Sequence, residues 1–364
     1  MKHNKYMIRA IELAEKGAGN VSPNPKVGAV IVKNGTVITE GWHSKFGGDH
    51  AEVDAIRKAG IDDFADCTLY VNLEPCSHYG KTPPCADLII SKNFSCVIVG
   101  STDPNPLVSG KGITKLRDAG IEVLTDVCKD ESEWCNRIFF KHITTGNPYI
   151  MLKIAQSLDG CIALQNGESK WITSDESRRL THKLRNDFDA VLIGRTTALK
   201  DNPQLTVRSV EGVNPIRVVC DTHLSLPADL ELFKTDSNTK TVVCCNAEAA
   251  QSEKAQNLIN SGINVLPVNV GKDGRLLMPE VVKSLSENLQ ISSLMVEGGG
   301  GIYSSFLKSG LVDELQVFIA PKIFGKCRNP FDSINLTNIN SAYQFKLRTT
   351  EMSGGDIHAV YVKV

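Results

Sequence analysis

The chain has 364 residues, with 40 Lys+Arg against 41 Asp+Glu and a formal net charge of −1. That length predicts two domains of ordinary size, and the near-neutral balance excludes a protein built mainly to grip a nucleic acid backbone. With 41% hydrophobic and 22% charged residues, and no apolar run approaching the ~18 residues of a membrane span, collagen-like, disordered and membrane classes are excluded as well.

The opening segment places Met7, Ile8, Ile11 and Ala14 at the spacing of an amphipathic helix, ending near Gly17–Gly19, rather than in the unbroken apolar core of a leader. Val27–Val32 reads as a buried strand, Asn34-Gly35 as a tight turn and Thr36–Glu40 as the hairpin partner. A helix follows from about His50 to Ala59, stopped by Gly60. Next come a strand at Cys67–Leu73, a short helix at Cys85–Ser91 and a strand at Cys96–Gly100. A helix at Gly112–Ala119 and a last strand at Ile121–Leu124 complete an α/β domain over 1–145, with mostly parallel pairing expected.

Thr144–Pro148 combines turn formers with a proline and predicts the linker. The alternation then restarts over 146–364, predicting a second α/β domain. Tyr149–Ala155, Ala190–Gly194, Ile216–Cys220, Thr241–Cys245 and Leu294–Val296 read as strands, Ser174–Arg185 and Ile302–Ser309 as helices. Residues 209–293 carry scaffold elements and no motif. The 11 cysteines, without a leader before them, predict reduced thiols in the cytoplasm, where clustered cysteines serve metals or catalysis.

Three fragments of the first half carry chemistry: His50-Ala51-Glu52 opening a helix, Pro75-Cys76 just after a strand, and Cys85 nine positions later. Zinc takes imidazole nitrogen and thiolate sulfur, and three protein ligands leave a fourth corner for water. His50, Cys76 and Cys85 supply that set, and the metal would lower the pKa of the water. Glu52, two residues after His50, is placed to carry protons from that water to a departing amine without ligating the metal. The order matches the signature of zinc-dependent nucleobase deaminases, except that the two cysteines stand much farther apart. A structural zinc site would need a fourth protein ligand, for which His78 is the best placed.

The segment between the cysteines, Pro75–Cys85 (PCSHYGKTPPC), resembles that of the bifunctional riboflavin-biosynthesis deaminase/reductase family. The resemblance implies a cytidine-deaminase-like α/β domain and a pyrimidine substrate bearing a ribose 5-phosphate. Lys81 and Thr82 offer a charge and a hydroxyl suited to the phosphate. Asn24, His43, Asp103 and Asn105 stand in matching segments that line the family's base and ribose pocket.

The second half lacks G-x-G-x-x-G after its first strand, so a Rossmann dinucleotide site is not supported. It has instead a glycine run, Gly298–Gly301, between a strand and a helix, where backbone can approach a pyrophosphate at a positive helix end. In order, its segments resemble the same family's reductase domain, which implies a dihydrofolate-reductase-like α/β fold, NADPH, and hydride transfer to C1′ of the ribose. Ala155, Trp171, Thr197, Asp201 and the stretch containing Gly299, Gly300 and Gly301 match the family's cofactor contacts. Ser169, Arg185, Leu205, Arg208 and Glu297 match its substrate contacts. Arg185 and Arg208 make physical sense as a clamp on the sugar phosphate. Arg195 is open between a cofactor 2′-phosphate and plain surface charge, and Cys161 reads as a small packing thiol.

The resemblance thus implies zinc-dependent deamination of a diaminopyrimidinone ribosylamine phosphate, then NADPH-dependent reduction of its ribosyl chain to ribityl. A nucleic-acid-editing deaminase would share the metal set but call for a basic surface and no second domain. A silent scaffold would show four protein ligands and no Glu52. The expected partners are a small-molecule substrate and, two-fold oligomers being commonest, a second copy of the chain; neither nucleic acid nor membrane is expected.

Overall fold

Gly146 ends a helix in the left-handed conformation (φ 71°), and just beyond it the chain divides. The computed structural model describes residues 3–79, 83–106, 108–236 and 238–364 and separates into two units, Met1–Asn147 and Pro148–Val364. Among the described residues, no helix is long and apolar enough to cross a membrane.

The first unit runs α1 (Asn4–Ala14), β1 (Gly28–Lys33), β2 (Thr36–Trp42), α2 (Ala51–Ala59), β3 (Cys67–Leu73), α3 (Cys85–Ser91), β4 (Cys96–Ser101), α4 (Lys111–Asp118), β5 (Glu122–Leu124), α5 (Lys129–Cys135) and α6 (Arg137–Thr145). Its sheet has the order β2-β1-β3-β4-β5. Strand alternation feeds two cores. Ala29, Ile31, Leu69 and Val71 pack with Ala55, Ile89, Ile113 and Leu116, while Val30, Val32, Tyr70 and Ile98 pack with Met7, Ala10 and Leu13 of α1. The expectation of mostly parallel pairing holds for β3, β4 and β5. The expected β1–β2 hairpin is present and antiparallel, but β1 also pairs antiparallel with β3, because α2 carries the chain back to the other edge of β1. α2 lies close on β2, since a Cβ at Gly41 would sit 2.5 Å from the Ala51 carbonyl oxygen.

The second unit runs β6 (Tyr149–Ser157), β7 (Ala163–Leu164), α7 (Asp175–Asp187), β8 (Ala190–Gly194), α8 (Arg195–Asp201), β9 (Ile216–Cys220), β10 (Thr241–Cys245), α9 (Ala247–Ala250), α10 (Glu253–Asn260), β11 (Asn264–Pro267), α11 (Met278–Leu289), β12 (Ser293–Gly298), α12 (Gly300–Lys308), β13 (Glu314–Ala320), β14 (Cys327–Arg328), β15 (Phe345–Ser353) and β16 (Asp356–Lys363). The nine-stranded order is β11-β10-β9-β8-β12-β6-β13-β16-β15. Pairing is parallel from β11 to β13 and antiparallel for the last two strands. Ser174 caps α7 by accepting from the Ser177 amide. Cys161 is not the free packing thiol expected: it is disulfide-bonded to Cys327, joining the segment after β6 to β14. The other nine cysteines are free.

Candidate functional site

The first unit gathers its metal set at the N-terminus of α2 and the turn between β3 and α3. His50 precedes α2 with extended backbone (φ −70°, ψ 160°), turning its ring toward the two cysteines. His50 Nδ1 lies 3.2 Å from Cys85 Sγ and 3.6 Å from Cys76 Sγ, and the three ligand atoms lie within 4.8 Å of one another. The Cys85 amide donates to Cys76 Sγ at 3.2 Å. Donation from the Cys85 thiol and the His50 ring draws Cys76 down to about 4, toward the thiolate a metal prefers. Two sulfurs and one imidazole nitrogen fit zinc with one open position. His78 is exposed and stands outside the cluster.

Glu52 sits in the first turn of α2, 3% exposed, and burial pushes its carboxyl up to about 7. That range suits a group that both takes and gives a proton near neutrality. The buried His43 stands edge-on to His50, ring centroids 5.6 Å apart. Its Nδ1 faces the Asp49 carbonyl at 2.9 Å, which requires Nδ1–H and leaves Nε2 to accept from the Asn24 amide at 3.5 Å. Burial lowers the His43 pKa, favouring the neutral ring. Asp103 Oδ1 accepts from the Asn105 amide at 2.8 Å, and burial raises the Asp103 carboxyl. Lys81 and Thr82 lie outside the described residues.

In the second unit a cavity of about 930 Å³ opens at the carboxyl ends of the parallel strands, where α/β sheets bind ligands. All twelve residues singled out in the sequence line it: Ala155, Ser169, Trp171, Arg185, Thr197, Asp201, Leu205, Arg208, Glu297, Gly299, Gly300 and Gly301. Gly298 and Gly299 have φ of 151° and 77°, conformations that keep the passage from β12 into α12 free of side chains. A Cβ at Gly194 would lie 2.6 Å from Ile302 Cγ1, so β8 and α12 approach closely beside that corridor. A narrow glycine passage into a helix N-terminus fits a pyrophosphate-bearing cofactor. Trp171 is exposed, with the Arg178 guanidinium 4.6 Å from its ring centre, and is no core residue. Asp201 ends α8 and accepts from Ser169 Oγ at 2.9 Å.

Arg185 is bound by the protein itself. It is buried, and three of its five N–H donors are engaged: Nε and Nη2 bind Glu297 and Nη1 donates to the Thr206 carbonyl. Of the two arginines expected to clamp a phosphate, Arg208 is the exposed one. Lys153 was missed. It is half-buried on β6 beside Glu297 and Arg185, and desolvation lowers it to about 8. A single cation inside the apolar run Tyr149–Ala155 was the available signal.

Family models match both units: the cytidine and deoxycytidylate deaminase zinc-binding region over residues 1–101 and the RibD C-terminal domain over 148–359. The riboflavin biosynthesis protein RibD of Actinobacillus pleuropneumoniae is 41% identical, covering 99% of this chain and 95% of its own. That of Aquifex aeolicus is 44% identical, over 97% and 96%. The crystal structure of a diaminohydroxyphosphoribosylaminopyrimidine deaminase/5-amino-6-(5-phosphoribosylamino)uracil reductase from Thermotoga maritima superposes with a TM-score of 0.87 at 40% identity, covering 100% and 99%. RibD of Acinetobacter baumannii gives 0.85 at 36%, over 100% and 99%. The chain belongs to the RibD family, the bifunctional enzymes of riboflavin biosynthesis in which a zinc-binding deaminase domain precedes an NADPH-binding reductase domain.

Proposed function

We propose that the first unit hydrolytically deaminates 2,5-diamino-6-ribosylamino-4(3H)-pyrimidinone 5′-phosphate and that the second reduces the ribosyl chain of the product with NADPH, giving 5-amino-6-ribitylaminouracil 5′-phosphate. The observation that carries the reading is the three-ligand cluster His50–Cys76–Cys85 with a buried Glu52 beside it, in a chain whose second unit gathers the expected reductase residues around one cavity. The near full-length likeness to the Thermotoga maritima deaminase/reductase supports the substrate.

His50, Cys76 and Cys85 hold the zinc, which when bound supplies a Lewis acid that makes water acidic enough to lose a proton near neutral pH. Glu52 takes that proton and returns it to the departing amine, so that a C–O bond forms, a C–N bond breaks and ammonia leaves. Asn24, His43, Asp103 and Asn105 orient base and ribose, and Lys81 and Thr82 receive the phosphate. In the second unit NADPH, when bound, supplies the reducing equivalent. Ala155, Trp171, Thr197, Asp201 and Gly299–Gly301 seat the cofactor, and Ser169, Arg185, Leu205, Arg208 and Glu297 seat the substrate, with Arg208 on its phosphate.

The test is zinc analysis of the purified chain combined with ammonia release and NADPH oxidation on the diaminopyrimidinone phosphate. Metal-loaded protein that releases no ammonia would sink the reading, whereas retention of transfer RNA at low salt would favour the editing alternative. The proposal extends to a homodimer in the cytoplasm. Nine free cysteines accord with that compartment, and the Cys161–Cys327 disulfide runs against it. Supporting assembly, β15 is one of the two edge strands of the nine-stranded sheet and is exposed along Lys346–Met352, with Leu347 and Met352 in it. Light scattering is expected to give twice the 39.6 kDa chain mass; a monomer would refute the assembly.

A further inference from the structure

Glu74 links the metal turn to the far wall of the deaminase site. It leaves the end of β3 two residues before the ligand Cys76, and its amide donates to the Ser101 carbonyl at 2.9 Å. The side chain is 6% exposed, and its carboxylate accepts four backbone amides from one opposing segment. Oε2 takes Asp103 N at 3.1 Å and Gly110 N at 2.9 Å; Oε1 takes Gly112 N at 2.8 Å and Ile113 N at 3.2 Å. Three of those amides belong to the cap and first turn of α4, which lack partners within the helix. A carboxylate there is favoured by both hydrogen bonding and the helix dipole. The fit is tight: a Cβ at Gly112 would lie 2.1 Å from the Pro75 carbonyl oxygen and 3.2 Å from Glu74 Oε1.

We propose that Glu74 is a positioning residue of the deaminase: its carboxylate fixes the segment bearing Asp103 and Asn105 at a set distance from the Cys76 turn. The proposal rests on the reading of the first unit given above. The backbone of Glu74 is continuous with a metal ligand, while its side chain ties down the amide of Asp103, whose carboxylate in turn holds Asn105. Substrate pocket and metal are thereby set in one frame without Glu74 touching either. A carboxamide cannot replace it, because its NH2 group would face amide donors in place of one acceptor.

The test is steady-state ammonia release by Glu74→Gln and Glu74→Asp in the full chain, with zinc content and NADPH oxidation of the deaminated intermediate measured on the same samples. Glu74→Gln is expected to retain zinc and reductase kinetics while its deaminase KM rises at least tenfold and kcat falls less than threefold. Glu74→Asp, which keeps the charge, is expected to recover part of that KM. Unchanged KM in zinc-loaded Glu74→Gln would overturn the proposal, as would loss of activity only in proportion to lost zinc. Should Glu74→Gln not fold, amide hydrogen exchange on the wild type decides: protection of Asp103, Gly110, Gly112 and Ile113 is expected, and rapid exchange there overturns it. A wild type that releases no ammonia would count against the deaminase reading instead.

Discussion

Arg185 and Glu297 form a two-pronged ion pair inside the reductase unit, Nε to Oε1 at 2.5 Å and Nη2 to Oε2 at 2.8 Å, with side chains 10% and 9% exposed. Lys153 stands half-buried beside them, so one carboxylate serves two cations. Removing its charge strands both, and breaking such a pair from one side typically costs ~3–5 kcal/mol. Glu297→Gln is therefore expected to lower the urea midpoint of the reductase unit by that equivalent. NADPH oxidation should fall at least a hundredfold while ammonia release persists. Equal stability of variant and wild type would show that the two cations do not depend on the Glu297 charge.

Lys153 gives the reductase a pH signature. Burial lowers it to about 8, with Glu297 opposing the shift and Arg185 adding to it. Between about 8 and its ordinary value near 10.5, the unfolded chain binds a proton that the folded chain does not, so this group's contribution to stability rises with pH across that window. Below about 8 the cost of burying the charged amine is fully present. A cation in the cavity would assist an anionic substrate, so reductase kcat/KM is expected to decline above about pH 8. Lys153→Met should remove that limb, and a profile with the same limb in the variant would dissociate Lys153 from it.

Glu52 and the metal separate the two activities. Glu52→Gln preserves the shape and removes the exchangeable carboxyl proton, and ammonia release is expected to fall ~10²–10⁴-fold, the usual weight of a positioned acid–base group. Chelation of the zinc should abolish ammonia release altogether. NADPH oxidation on chemically supplied deaminated intermediate should survive both treatments, since the residues assigned to it lie in Pro148–Val364. Undiminished ammonia release from Glu52→Gln would remove the proton carrier.

The metal set was readable because ordered spacings placed His50 before a helix, Cys76 after a strand and Cys85 at a helix start, and those elements formed where local pattern put them. That twelve residues of the second unit line one cavity was readable through motif order. What escaped depended on partners distant in sequence. Glu74 is silent because its partners are main-chain amides that any residues supply. The ion pair of Arg185 was not legible because its carboxylate lies 112 positions away. The antiparallel placement of β1 depended on a strand across the α2 crossover, and β13, β15 and β16 went unread because their order reflects the sheet rather than local signals.

The Cys161–Cys327 disulfide, invisible for the same reason, closes a sequence separation of 166 within the reductase unit. In the chain-entropy account a loop of that size stabilises by about 5 kcal/mol. Reduction, or Cys327→Ser, is accordingly expected to lower the calorimetric midpoint of the reductase unit and leave the deaminase unit's transition in place. Identical midpoints in oxidised and reduced protein would show that the link adds no stability.

Arg195 offers a decision between coenzymes. It opens α8 on the wall of the cavity, donating from Nε to Ser225 Oγ at 2.5 Å and lying 3.8 Å from Asp221 Oδ1. Asp221 is itself held in place, accepting from Ser225 Oγ at 3.0 Å and the Leu226 amide at 2.8 Å. A guanidinium so anchored and still 47% exposed has donors left for a phosphate. A hydrogen bond between charged groups contributes ~1.5–3 kcal/mol, or roughly ten- to a hundredfold in affinity. Arg195→Gln is therefore expected to raise the KM for NADPH by at least tenfold while leaving the KM for NADH unchanged, because NADH has no 2′-phosphate to lose. A parallel change for both coenzymes would instead assign Arg195 to the shape of the wall, and no change for either would return it to surface charge.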